Sequence, residues 1–114
     1  MTLITDEQRE QLLDNGAAAQ LGEGRDPYPV VKLFTPDAGA TWLLIELDPD
    51  DGDTALGLCD PGLGFPELSR VRLSELVSIR GPAGLPIERD LYFQAKHPLS
   101  EYVRRARIDR SIAD

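Results

Sequence analysis

The chain holds few side chains suited to covalent or acid–base chemistry, and they are scattered along it. His97 is the only histidine and Cys59 the only cysteine among 114 residues. His97 precedes Pro98 at an apparent helix entrance, a setting that suits a surface or capping residue better than a general base. Cys59 closes the apolar run Ala55-Leu-Gly-Leu-Cys59, where burial would raise the thiol pKa and suppress nucleophilicity. Carboxylates are plentiful: Glu46, Asp60 and Glu67 could do acid–base work only if their surroundings drove their pKa values apart. The Asp60 to Glu67 loop with Arg89 is the one constellation that would suit a small hydrolase or nucleotide-binding protein.

Two further patterns suggest ligands and fall short of them. Asp48-Pro-Asp-Asp-Gly-Asp53 places four aspartates within a tight turn. The EF-hand loop needs glycine at its sixth position and a bidentate Glu at its twelfth; counted from Asp48, Gly52 is fifth and Cys59 twelfth. Gly62-x-Gly64 has the look of a phosphate-cradling turn but lacks a third glycine and a helix start directly after it. Tight backbone routing explains these glycines, and neither metal nor cofactor is expected.

The elements that must position these groups follow from periodicity and punctuation. Thr5 and Gln8 have the spacing of a capping box, so residues 5 to 15 are expected to be helical, with Leu12 and Leu13 as a narrow apolar stripe and Asn15-Gly16 as its end. Residues 17 to 29, rich in Gly and Pro, read as a loop. Residues 30 to 35 and 41 to 47 read as strands joined by the turn at 36 to 39. Strict alternation would put Thr41, Leu43, Ile45 and Leu47 on one face of the second strand and Trp42, Leu44 and Glu46 on the other. Both faces are apolar, as in a central covered strand, with Glu46 at a rim or paired to a base such as Arg89.

Asp51-Gly52 suits a hairpin into the strand at 55 to 59. A short strand at 68 to 73 leads to a helix from Ser74 to Arg80, with Ser74 as its N-cap, and Gly81-Pro-Ala-Gly84 ends it. Residues 87 to 93 alternate as a further strand. Residues 99 to 106 form an amphipathic helix burying Leu99, Tyr102, Val103 and Ala106, with Glu101 and Arg105 one turn apart. The tail beyond is expected to fray.

The fold class is therefore α+β: one domain over residues 1 to 114, with an antiparallel sheet of four to five strands, an N-terminal helix, a short internal helix and a C-terminal helix. Residues 1 to 28 supply helix and loop, 29 to 93 the sheet core, and 98 to 114 the last helix and tail.

Net charge is −8. The acids are concentrated before residue 70 and the bases after it, so the N-terminal two-thirds repels phosphates at long range and direct nucleic-acid binding is not expected there. No apolar run approaches the ~20 residues of a membrane span, and the lone cysteine fits a reducing compartment, so a cytoplasmic protein without membrane contact is expected.

The segments Val30-Val-Lys-Leu-Phe-Thr-Pro36, Ala40-Thr-Trp-Leu-Leu44, Glu46-Leu-Asp-Pro49, Gly57-Leu-Cys-Asp60, Gly64-Phe-Pro-Glu-Leu68, Leu73-Ser-Glu-Leu76 and Gly84-Leu-Pro-Ile-Glu-Arg-Asp-Leu-Tyr-Phe93 resemble the signature of domain-of-unknown-function family 2958. The resemblance implies a bacterial protein carried on plasmids and other mobile DNA, with no established activity to transfer. Together with the shortage of catalytic groups it favours a non-enzymatic acidic interaction protein whose partner is another protein, a DNA-processing or defence protein. The expected contact surface is Asp48, Asp50, Asp51 and Asp53, imitating DNA phosphates. The alternative site is Asp60, Glu67 and Arg89.

Overall fold

A computed structural model describes residues 3 to 113. A five-stranded antiparallel sheet in the order β4-β3-β2-β1-β5 runs through the molecule, with β1 at Val31–Phe34, β2 at Thr41–Leu47, β3 at Thr54–Asp60, β4 at Glu67–Arg72 and β5 at Glu88–Arg89. The helices are α1 at Asp6–Gln20, α2 at Leu73–Leu76 and α3 at Leu99–Asp109. The α+β class and the three helices agree with the sequence reading, and β2 is the central strand as its two apolar faces demand.

The two faces of the sheet carry separate cores. Leu12 of α1 and Leu73 and Leu76 of α2 pack with Leu33, Trp42, Leu44, Leu47 and Cys59 on one side. On the other, Leu99, Tyr102, Val103 and Ala106 of α3 cover Leu43, Ile45 and Leu58. The residues expected to form the buried stripe of α3 are those that do.

Alternation along β2 fails at one place. Leu44 pairs with Gly57 and Glu46 with Leu56, so a bulge sets Ile45 and Glu46 together against a single residue of β3. Leu47 is thereby turned to the α1 side with Trp42 and Leu44, whereas the sequence had placed it with Leu43 and Ile45. The extra residue keeps Leu47 in an apolar core and Glu46 near the rim.

Helix α1 opens on the expected capping box: Gln8 N donates to Thr5 Oγ1 at 3.1 Å and Thr5 N donates to Gln8 Oε1 at 2.9 Å. It does not stop at Asn15-Gly16 but runs through the three alanines to Gln20, because alanine favours helix and both residues have tertiary work there. Strand β1 pairs with β2 only as far as Leu44. Beyond that point α1 takes its place: Asn15 Nδ2 donates to the Ile45 carbonyl at 2.8 Å, and Gly16 lies so close to β2 that an added Cβ would sit 1.8 Å from the Leu47 oxygen.

Three more boundaries move. The internal helix has a single turn starting at Leu73, and Ser74 is not its N-cap residue. The last strand is two residues long, because Asp90 N donates to the Lys32 carbonyl at 2.9 Å and Asp90 Oδ1 then accepts from Tyr92 N at 2.9 Å, turning the chain away. Leu91 is consequently 71% exposed, and the strand expected over residues 87 to 93 stops at Arg89. Helix α3 does not fray after Ala106; it continues to Asp109 and ends at Arg110, which adopts a left-handed conformation with φ 56°.

Candidate functional site

The four aspartates between β2 and β3 build their own turn. Asp48 Oδ1 accepts from Asp50 N at 2.8 Å, and Asp51 Oδ1 accepts from Asp53 N at 2.8 Å and Thr54 N at 2.9 Å while its Oδ2 accepts from Thr54 Oγ1 at 2.6 Å. Gly52 supplies the positive φ of 62° at the tip, where Arg9 Nη1 donates to its carbonyl at 2.8 Å. The hydroxyl and backbone donors of Thr54 hold the Asp51 carboxyl down at about 2. Asp53 faces α2, accepting from Ser74 N at 2.9 Å and Ser74 Oγ at 2.6 Å. Among the described residues no cluster of three or more His, Cys, Asp or Glu side chains could hold a metal ion. The turn is a fixed ridge of carboxylates, bordered by Arg9 and by the more distant charge of Arg72.

The structure does not assemble Asp60, Glu67 and Arg89. Glu67, Cys59, Trp42, Leu33 and Arg89 lie in one row across all five strands, with Glu67 on one edge and Arg89 on the other. At ~4.8 Å per strand that separation is about 19 Å. Asp60 is buried, and its Oδ1 accepts from Gly62 N at 2.8 Å, tying the carboxylate to its own loop. In the same loop Gly62, at φ 92°, passes so close to Gly39 that an added Cβ would meet its backbone at 3.1 Å, which is the tight routing its sequence implied.

Cys59 and His97 are also kept apart. Burial pushes the Cys59 thiol up to about 11, on the α1 side of the sheet. His97 stacks edge-on against Tyr102, with ring centroids 5.4 Å apart, on the α3 side. Tyr102 Oη accepts from Lys96 N at 3.0 Å, so this pair fixes the entry to α3.

Glu46 faces Arg70 and not Arg89. Both pair with Leu56 from opposite sides, and Arg70 supplies the one favourable charge noted at the carboxyl. Desolvation outweighs it and, with the repulsion of Asp48, raises the Glu46 pKa. The two groups border a polar cleft of about 310 Å3 with Gln20 and Thr54.

One surface escaped the sequence reading. Helix α3 covers the centre of the sheet but leaves a groove between itself and β4, in two joined sections of about 520 and 560 Å3 that share Leu68, Val103 and Arg107. Phe65 and Arg110 line one section, Arg104 and Ile108 the other. Arg104 is engaged by Glu101, its Nη2 donating to Glu101 Oε2 at 3.0 Å. The excess of bases after residue 70 was the available signal; what it could not show was that α3 lays them beside the sheet edge.

Fold and surface together define a small α+β protein whose covered antiparallel sheet carries an acidic turn between β2 and β3 and an arginine-lined groove beside β4. The chain belongs to the family described as Protein of unknown function (DUF2958), whose profile matches residues 3–113. Neither the curated proteins nor the solved structures contain a match to it.

Proposed function

We propose that this protein is a non-enzymatic interaction protein that binds another protein through its acidic turn. The observation that carries the proposal is the ridge itself: Asp48 and Asp51 are held by hydrogen bonds of the turn, Asp53 by Ser74 and Asp50 by Gln20 Nε2, with Asp50 and Asp51 exposed. A charged surface fixed before encounter loses little side-chain freedom on binding and steers a partner of opposite sign. The groups best suited to catalysis are otherwise engaged: Cys59 is a buried thiol, Asp60 bonds its own loop and His97 stacks on Tyr102.

The partner class that suits such a ridge presents a basic groove evolved for phosphates, as a DNA-processing or defence protein does. A bacterial cytoplasm in which the protein is carried by mobile DNA is the setting this reading assigns. The test is affinity capture of the tagged chain after nuclease treatment, run beside a variant with Asp48, Asp50, Asp51 and Asp53 all changed to Asn. Asn retains an acceptor for the turn and removes the charge, and circular dichroism verifies the fold. A partner recovered by the native chain and lost by the variant supports the proposal; equal recovery overturns it.

A further inference from the structure

Strand β4 is an open edge of the sheet, and its free groups can be assigned. Leu73 N donates to Asp53 O at 2.9 Å, one step beyond the ladder that pairs Thr54 with Arg72 through to Cys59 with Glu67. Residues of an antiparallel strand alternate between turning their backbone groups toward the neighbour and away from it. Val71, Ser69 and Glu67 therefore face β3, and Arg72, Arg70 and Leu68 turn N–H and C=O outward. No backbone hydrogen bond outside the ladder engages these three among the described residues. A six-residue edge in this state is a template for another strand unless charge or a cover prevents it.

The side chains around that edge state what it accepts. Leu68 is 48% exposed, Phe65 67% and Ile108 68%, so an apolar strip runs along the groove floor and rim. Arg107 and Arg110 line the groove with no ion pair among the described residues, and Arg70 and Arg72 stand on the strand itself. Glu67 at the start of β4 borders the same section, and its pairing with Cys59 puts its side chain on the α1 face. Arg70 faces Glu46, Arg72 acts on Asp51, and the Asp26 carboxylate in the second section is held by Ser100, so the uncompensated charge in the groove is that of Arg107 and Arg110, which opposes the β4 edge of a second copy and favours acidic side chains.

We propose that β4 and the groove beside α3 dock an extended segment of a partner protein as a sixth strand of the sheet, one whose every second residue, on the face toward α3, is apolar or acidic. Backbone bonds to Leu68, Arg70 and Arg72 supply affinity; apolar side chains resting on Leu68 and Phe65, and carboxylates reaching Arg107 and Arg110, supply selectivity. The groove lies at the Glu67 end of β4 and the acidic turn at its Arg72 end, where Arg72 pairs with Thr54, and the proposal rests on the reading of the chain as an interaction protein.

The experiment is selection of short random peptides on the full chain by display, followed by anisotropy titration of the enriched peptides. The expected result is enrichment of sequences in which every second residue is apolar or acidic. Their binding should weaken at least about tenfold in Arg70→Pro, because proline removes an outward N–H without breaking a β3–β4 rung. Thermal unfolding of that variant checks that it folds, and Arg107→Glu with Arg110→Glu should reject the same peptides while leaving the edge intact. Failure to enrich such sequences, or equal binding to the double arginine variant, overturns the proposal. So does an oligothymidylate that displaces the peptides at equal concentration, or a dimer of the native chain that Arg70→Pro dissociates. The aspartate variant removes carboxylates only at the Arg72 end of the edge and should bind the peptides no more weakly than the native chain, so failure here and failure of the acidic-turn reading are separate results.

Discussion

Asp53 caps helix α2 from 21 residues away: its Oδ1 and Oδ2 accept from the backbone N–H and the hydroxyl of Ser74, and its carbonyl accepts from Leu73 N. The arrangement recurs at α3, where Asp26 receives the backbone N–H and hydroxyl of Ser100. Neither helix has a side-chain cap of its own, since Arg72 and Pro98 occupy the capping positions. Each is started by an aspartate from a distant loop, which couples helix formation to the closure of the sheet. A capping bond of this kind contributes about 1 kcal/mol. Asp53→Ala and Asp26→Ala should each lower unfolding free energy by ~1 to 2 kcal/mol in urea titrations, with Asn at either site losing less.

Gly16 should be the least tolerant position of α1. Its added Cβ would lie 1.8 Å from the Leu47 oxygen, so helix and strand would have to separate. Gly16→Ala gains helix propensity in isolation yet should cost about 3 kcal/mol by overpacking. Asn15→Ala removes the bond to the Ile45 carbonyl and should cost about 1 kcal/mol. Chemical denaturation of the two variants orders them.

Stability should fall in acid through two identifiable carboxylates. Asp51 and Glu101 titrate near 2 in the folded chain, below their ordinary 3.8 and 4.5, held there chiefly by Thr54 and Arg104. The unfolded chain binds protons first, so their contributions are complete above the ordinary values and vanish as pH drops toward 2. Asp51→Asn and Glu101→Gln should flatten the acid limb of a plot of urea midpoint against pH.

Glu46 works in the opposite sense. Burial raises its pKa above 4.5, so the folded state holds the proton longer and ionisation above that value costs stability. Glu46→Gln should therefore be more stable than the native chain at neutral pH, with the difference closing below 4.5. Urea midpoints for the pair across that range decide the sign.

The Cys59 thiol should be silent in the native protein. With its pKa near 11 and its side chain among Trp42 and Leu33, alkylation near neutral pH should proceed only through unfolding. Labelling should accelerate sharply in denaturant and more modestly in Gly16→Ala, following the population of open chain.

What the sequence determined by itself was whatever is settled within a few residues. The reciprocal bonds of Thr5 and Gln8 and the apolar spacing of Leu99, Tyr102, Val103 and Ala106 depend on near neighbours alone. The glycine-led turn at Asp51-Gly52 and the two apolar faces of the central strand are equally local. These features gave the fold class and the element order. Tertiary structure decided what depends on where another element stops. Because β1 ends opposite Leu44, α1 had to run on past Gly16 to cover β2, and a bulge had to turn Leu47 inward. Because the row from Glu67 to Arg89 spans every strand, two residues that composition would group lie on opposite edges. The arginine groove arose the same way: α3 fixes its own apolar stripe, but only packing beside an uncovered β4 turns its remaining face into a surface for a partner.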